Sequence, residues 1–152
     1  MSIRYEDFSV ENIADIVVLG MEMHEESVHK DLPFDIEMAA QSAFEKIIQN
    51  PHGHGRIAFD GEHPVGMVAG VLATHDFVPL LFAYNNVWFV TKERRGTPIG
   101  VKLLEQFQDW AKDQGAAEVH LGVASGVTPE RTGKAVERMG YGSVGENYVK
   151  AV

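Results

Sequence analysis

The stretch that decides the fold is Val87-Trp88-Phe89-Val90-Thr91-Lys92-Glu93-Arg94-Arg95-Gly96-Thr97-Pro98-Ile99-Gly100. An apolar strand runs into a basic turn that contains glycine, and the turn runs into the start of an amphipathic helix. The first N–H groups of a helix lack partners within it, and the helix dipole favours negative charge there. Two arginines and two glycines at this point predict a pyrophosphate pocket. An ordinary strand–turn–helix with solvated arginines is an equally open interpretation.

The helix after this turn has a defined start and a core-facing stripe. Thr97 is a good N-cap, and Pro98 at the first helical position loses no hydrogen bond. The apolar positions that recur at helical spacing are Ile99, Leu103, Phe107 and Trp110. The glycine spacing matches neither a P-loop nor the G-x-G-x-x-G of a Rossmann site, so the sequence supports neither of those classes.

Length and composition predict one domain over residues 1–152, with enough apolar residues for a full core. There is no cysteine, no apolar run as long as a membrane span and no signal-peptide pattern at the N-terminus, so we expect a cytoplasmic protein without a membrane partner. The net charge of −9 disfavours nucleic acid as a partner. It is compatible with a cationic substrate, and equally with simple solubility.

The pattern of the remaining sequence predicts an α/β sandwich with a mixed sheet. The predicted strands are Ile3–Tyr5, Arg56–Phe59, Pro64–Thr74, Leu81–Val90, Glu118–Ala124, Tyr141–Val144 and Asn147–Ala151. The predicted helices start at Asp7 or Ser9 and end near Met23, start after Asp35 and end near Asn50, span Pro98–Gln114, and run from a Thr128-Pro129 cap to Met139.

With this order of elements, the chain resembles the GNAT (Gcn5-related N-acetyltransferase) superfamily along essentially its whole length. The acetyl-CoA loop of that family reads (Gln/Arg)-x-x-Gly-x-(Gly/Ala), and here the matching residues run from Arg95 to Gly100. Trp88-Phe89-Val90 resembles the strand before that loop, and Gly140-Tyr141 resembles the Gly-Phe after the last helix. The resemblance implies a mostly antiparallel sheet of six to seven strands, with helices on both faces and a splayed central strand pair.

The resemblance also implies acetyl-CoA as co-substrate. In the family, the loop holds the pyrophosphate by backbone N–H groups and the preceding strand holds pantetheine. The residues carried over for these contacts are Arg95, Gly96, Thr97, Ile99 and Gly100 for the pyrophosphate, and Trp88 and Val90 for pantetheine. Pro98 departs from the usual glycine and removes one backbone donor from the loop.

The catalytic groups of the family are matched less well. Glu or His often stands four and two residues before Trp88, where this chain has Tyr84 and Asn86. Neither is a base at neutral pH, but either could orient a water that carries the proton away; Tyr84 could equally be a plain strand aromatic. Val136 stands where many members have a tyrosine that protonates the thiolate. Ser125 and Tyr148 are the alternative donors, and the thiolate could also leave unprotonated.

The connection after the first helix is the expected acceptor wall. Acidic side chains there could hold an ammonium group, and Glu26 and Ser27 are the candidates; a solvated loop is the alternative. His24 and His29 do not have the spacing of H-E-x-x-H, and neither they nor His52 and His54 are expected to bind metal.

The sequence thus predicts an N-acetyltransferase that moves an acetyl group from acetyl-CoA to a primary amine of a small molecule, amino acid or peptide, by direct attack in a ternary complex. A non-catalytic domain that binds CoA or a protein partner, and a transferase that modifies a macromolecule, remain alternatives. The resemblance also makes a homodimer an expectation.

Overall fold

A computed structural model describes residues 2–122 and 129–152, with the side chains of 129 and 130 excepted. The strands are β1 (Ile3–Asp7), β2 (Gly53–Asp60), β3 (His63–Thr74), β4 (Leu81–Val90) and β5 (Glu118–His120). The helices are α1 (Ile13–Glu26), α2 (Ile36–Ala43), α3 (Ile99–Asp113) and α4 (Pro129–Arg138). A π-helical turn, Phe44–Ile48, continues α2, and 3₁₀ turns at Val10–Asn12 and Lys92–Arg94 precede α1 and α3.

The five strands form one sheet in the order β1-β2-β3-β4-β5. The first four are antiparallel neighbours in a meander, whereas β5 pairs with β4 in parallel. This mixed sheet confirms the predicted α/β class. The parallel pair is short, because Phe82–Tyr84 of β4 meets all of β5 and the described residues show no further strand pairing on that side.

Apolar side chains on the two faces of the sheet form two separate cores. On one face, Leu19 of α1 and Ile47 of the π-helical turn pack against Ile57 and Phe89. On the other face, Leu103 and other apolar residues of α3 pack against the sheet. Helices therefore cover both faces, as the sequence predicts, and most of the free energy of folding comes from burying these two layers.

A β-bulge lies in the middle of β4. Gly70 of β3 pairs with Asn85 and Ala69 pairs with Val87, so Asn86 is the extra residue. The bulge reverses the alternation of side chains, because Ala83 belongs to the core under α3 whereas Val87 and Phe89 belong to the core under α1. A period of two along Leu81–Val90 cannot reveal this change of phase, and sequence reasoning missed it.

Most boundaries agree with the predicted elements. The Asp35 carboxylate accepts a 2.9 Å hydrogen bond from the Met38 N–H and so caps α2 as expected. Gly115, with φ of +86°, follows the end of α3. The predicted start of α3 is one residue early, since Pro98 is the N-cap and the Thr97 hydroxyl donates instead to the Arg94 carbonyl oxygen, 2.6 Å away.

The predicted six to seven strands are not confirmed, since the described residues contain five. The segments Tyr141–Val144 and Asn147–Ala151 are not strands. The sequence between and around them is glycine-rich, with φ of +154° at Gly145, and the side chains of Val144, Tyr148 and Val149 are more than four-fifths exposed. A hairpin needs an apolar face buried against another element, and this tail has none. The predicted end of β5 at Ala124 lies outside the described residues.

No helix within residues 2–122 and 129–152 has the length and apolarity that crossing a bilayer requires.

The bulge predicts that Gly70 cannot be replaced. A Cβ at this position would collide with the Tyr84 carbonyl oxygen and would lie 2.6 Å from Cζ of Phe107, which is fully buried. We expect Gly70→Ala to destabilise the protein by about 2–4 kcal/mol, measured by urea unfolding. Gly133→Ala is the control, because a Cβ at position 133 would have no atom of the described residues within 4 Å and because alanine favours a helix. Equal stability of the two variants would contradict this account of the bulge.

Candidate active site

The edge of β4 opens toward a cleft where β5 leaves it. After the last paired residue of β5, the side-chain amide of Asn85 takes the place of a strand partner. Its Oδ1 accepts a 2.7 Å hydrogen bond from the Gly122 N–H, and its Nδ2 donates to the Gly122 carbonyl oxygen at 3.2 Å. The Asn85 side chain thus separates β4 from the segment after β5 by its own length. Among the described residues, the backbone of β4 from Asn86 to Val90 has no strand partner on this side.

The turn between β4 and α3 presents unpaired backbone donors to this cleft. The Lys102 N–H reaches the Pro98 carbonyl oxygen at 2.9 Å, whereas Gly96, Ile99 and Gly100 have no backbone acceptor among the described residues. Gly96 has φ of +85°, which a residue with a side chain rarely adopts. The Trp88 indole N–H donates to the Gly100 carbonyl oxygen at 3.0 Å and fixes the helix start against β4. Ile99 is buried, so only its backbone can face a ligand.

Arg95 is held by groups of the protein itself. Its two terminal nitrogens donate to the two carboxylate oxygens of Glu26, at 2.8 and 2.6 Å, and its Nε donates to the Val90 carbonyl oxygen at 3.0 Å. The guanidinium also lies over the Phe89 ring, 5.5 Å from its centroid. This bidentate pair joins the end of α1 to the loop before α3, and the hydrogen bonds from Arg95 lower the pKa of Glu26.

The ion pair alters two expectations from the sequence. Arg95 does not present an uncommitted guanidinium to a phosphate, and Glu26 does not present an uncommitted carboxylate to an ammonium group. Ser27 is likewise occupied by local structure, since its hydroxyl donates to the His24 carbonyl oxygen at 2.8 Å and accepts from the His29 N–H at 3.2 Å. The second arginine of the turn, Arg94, pairs with Asp60 at 2.6 Å.

The cleft is a cavity of about 900 Å³ between the loop, β4, α4 and the α1–α2 side of the sheet. That volume suits a ligand the size of a cofactor or of two smaller substrates. Loop and strand residues predicted to bind a cofactor line it: Trp88, Val90, Arg95, Gly96, Thr97 and Gly100. The opposite side is formed by residues from α1, the connection after it, α2 and the π-helical turn, including His24, Ser27, His29, Phe34, Ser42 and Lys46.

The predicted catalytic residues are only partly brought together. Asn86, the bulged residue, lines the cavity. Tyr84 does not: its ring is exposed and lies nearest Phe82, with ring centroids 6.1 Å apart. The spacing of four from Trp88 therefore does not bring Tyr84 into the cavity. Ser125 lies outside the described residues.

The two remaining donor positions are away from the cleft as well. Val136 is not among the cavity-lining residues, and its carbonyl oxygen ends α4 by accepting from the Met139 and Tyr141 N–H groups. Tyr148 is exposed, and its hydroxyl donates to Glu146 at 2.8 Å. Thr132, one turn before Val136, is the α4 hydroxyl that lines the cavity.

Sequence reasoning missed several lining residues. Asn85, Lys46, Arg131 and Thr132 had no role assigned, and His29 was considered only as a metal ligand. Of these residues, only Asn85 could have been found from the sequence, because it is next to the candidate catalytic residue Asn86. Within the described chain, no three His, Asp or Glu side chains converge as a metal site requires.

Comparisons with known proteins agree with this geometry. Residues 21–141 match the Acetyltransferase (GNAT) family. The chain belongs to the GNAT family of acetyltransferases. The match begins within α1 and ends three residues after α4, so it includes residues from both sides of the cavity. A search among curated protein sequences finds no significant match.

Solved structures show that this GNAT domain shares its fold with distant relatives. A putative acetyl transferase from Pyrococcus furiosus is 24% identical, with 99% of this chain and 100% of that chain covered at a TM-score of 0.75. AAC(6')-Iy, solved with the bisubstrate analogue CoA-S-monomethyl-acetylneamine, is 14% identical, with 100% and 99% covered at 0.79. A ribosomal-protein-alanine N-acetyltransferase from Brucella melitensis biovar Abortus 2308 is 15% identical, with 99% and 100% covered at 0.72.

The Glu26–Arg95 pair predicts a pH-dependent contribution to stability. Because the folded state lowers the pKa of Glu26, the stabilisation is complete above the ordinary carboxyl pKa and is lost as the pH falls through the lowered value. Glu26→Gln should lower the free energy of unfolding by about 1–3 kcal/mol at pH 7. The difference from the unmodified protein should shrink below about pH 4. Urea unfolding at several pH values measures it.

Glu25→Gln is the matched control for this prediction, because Glu25 is the exposed neighbour and makes no ion pair among the described residues. A Glu26→Gln effect that stays constant from pH 7 to pH 3 would show that the carboxylate charge is not what stabilises the pair.

Proposed function

We propose that this protein is an acetyl-CoA-dependent N-acetyltransferase that acts on a primary amine. The observation that carries the proposal is the conjunction of unpaired helix-start N–H groups, an open edge of β4 and a cavity that adjoins both. Together they fit an elongated ligand with a diphosphate at one end and amide groups along its length.

The residues present fit the cofactor at both of these ends. The Gly96, Ile99 and Gly100 N–H groups would bind the pyrophosphate, with Thr97 and the backbone of Arg95 shaping the turn. The peptide groups of β4 near Trp88 and Val90 would pair with pantetheine amides, as a further strand would. Arg131 lies next to this site, its Nη2 3.6 Å from the place where a Gly96 Cβ would stand, and no described residue pairs with it.

When bound, acetyl-CoA supplies a thioester whose carbonyl carbon accepts the amine nitrogen; the C–N bond forms as the C–S bond breaks and the thiolate leaves. The task of the protein is to place the neutral amine against that carbon and exclude competing water. Asn86 lies beside the open edge of β4, and we assign it the role of orienting the water that removes the amine proton. We assign to Thr132, the α4 hydroxyl that lines the cavity, the role of donating a hydrogen bond to the leaving sulfur.

A non-catalytic role is the second candidate, and Val136 is the observation that favours it, because a valine cannot protonate a thiolate. The two functions are separated by measuring CoA binding by calorimetry and CoA-thiol release across an amine panel. CoA binding with release supports the transferase, and CoA binding without release supports a non-catalytic CoA-binding domain. Absence of CoA binding contradicts both of these roles and leaves only a domain that binds a protein partner.

Arg131 provides a test of the cofactor site. Arg131→Gln should weaken CoA binding about tenfold, which corresponds to about 1.4 kcal/mol, and should reduce its dependence on salt. Lys134→Gln removes the same charge from the same helix at an exposed position that does not line the cavity, and should leave the Kd unchanged. Equal weakening in both variants would mean that only the general field of α4 matters.

A second test concerns the two β4 residues chosen from the sequence. Asn86→Ala should lower kcat about tenfold, a loss of about 1.4 kcal/mol in the transition state, while the Kd of CoA stays the same. Tyr84→Phe should leave kcat within about twofold, because the Tyr84 ring does not line the cavity. The opposite result, a slow Tyr84→Phe and a normal Asn86→Ala, would return the role to Tyr84.

A further inference from the structure

The charge of the cavity is opposite to that of the protein. The chain contains 22 Asp and Glu residues and has a net charge of −9, yet none of the described residues that line the cavity is acidic. Two histidines, one lysine and four arginines line it instead: His24, His29, Lys46, Arg94, Arg95, Arg131 and Arg138. Fields inside a cleft follow the local charges, so this cavity attracts anions although the molecule as a whole repels them.

The basic residues divide between the two sides of the cavity. The four arginines belong to the loop before α3 and to α4, on the side that would hold the cofactor phosphates. Lys46 and His29 belong to the opposite side, on the π-helical turn and on the connection after α1. π-Helical turns are rare and frequently occur at functional sites.

Nearby carboxylates do not neutralise Lys46 or recruit a cation. Glu45 accepts a 2.9 Å hydrogen bond from Gln41 along the same helix, Glu26 is held by Arg95, and Glu25 does not line the cavity. Lys46 makes no ion pair with any residue the structure describes. His24 is held by its Nε2, 2.7 Å from the Leu32 carbonyl oxygen. Among the described residues, the acceptor side of the cavity therefore offers one unpaired ammonium, one histidine and no lining carboxylate that would bind a polyamine.

The surface around Lys46 is mostly apolar, with the Ser42 hydroxyl one helical turn before it. Phe8, Ile47, Met67 and Ala69 line the cavity next to the π-helical turn, with Phe34 beside the connection. One fixed positive charge at the edge of an apolar surface suits a ligand with a single negative charge and an apolar body.

We propose that the acceptor is an amine that also carries a carboxylate on an apolar body, and that Lys46 binds this carboxylate. This inference rests on the proposed acetyl transfer and narrows its substrate from amines in general to amino-acid-like acceptors. It excludes polycationic acceptors, and it reverses the expectation that acidic side chains after α1 attract an ammonium group.

The test compares acceptors that differ only in the carboxylate. CoA-thiol release at saturating acetyl-CoA is measured with L-phenylalanine, L-leucine and L-methionine, with the carboxamide of each, and with kanamycin as the polycation. The amides have less basic amines and so are more often neutral, which means that a preference for the acids cannot come from amine reactivity. We expect kcat/KM to be at least tenfold higher for the best acid than for its amide, with no release from kanamycin.

Lys46→Gln should remove this preference by raising the KM of the acids about tenfold while the amides are unaffected. Lys102→Gln, an exposed change on α3 outside the cavity, is the matched control and should keep the preference. Amides or kanamycin that react as well as the acids, an unchanged preference in Lys46→Gln, or no release with any of the acids would each overturn the inference. CoA-thiol release with only the amides or kanamycin would overturn the inference about the acceptor but would still support acetyl transfer. Failure of CoA to bind in calorimetry would instead contradict the proposed function itself.

Discussion

The whole site depends on how far two neighbouring strands are allowed to pair. β5 follows β4 in parallel for three residues and then leaves it, and at that point the Asn85 amide bonds to both peptide groups of Gly122. An amide has the same donor and acceptor as a peptide group, so it satisfies the backbone of the departing strand without bringing the strand closer. Among the residues that the structure describes, no strand pairs with the edge of β4 beyond this point, and an unpaired edge is costly in a folded sheet unless another molecule takes the place of a strand.

Two further features support the parting of the strands. The bulge at Asn86 adds local twist to β4, and Gly70 supplies the space that the bulge requires against Phe107. The Trp88 indole then fixes the start of α3 against β4. Each of these contacts links a residue of the cleft to the buried core, so the position of the unpaired N–H groups is set by packing that no ligand needs to create.

Local features of the fold could be predicted from the sequence, and long-range contacts could not. The strand–turn–helix at residues 87–100 and the Asp35 cap follow from spacing and from side chains that bond within a few residues. The Arg95–Glu26 pair joins residues 69 positions apart, and the sequence gives each of them only a charge. The final hairpin was predicted from two short segments on either side of Gly145, and that pattern does not say whether a buried face exists to receive the strands. The positive charge of the cavity could not be predicted from the sequence either, because the net charge of −9 sums over all surfaces of the protein.

The Arg95–Glu26 pair also has a consequence for engineering. Among the described residues, this ion pair connects the loop before α3 to the end of α1, and the side chains of both partners are about three-quarters buried. A library that varied the end of α1 together with the connection after it would include residue 26, and many of its members would lose the loop geometry together with the old specificity. A library restricted to residues 29–46, with Glu26 and Arg95 kept, would sample new acceptors on an intact cofactor loop. The pair marks where this scaffold can be varied independently and where it cannot.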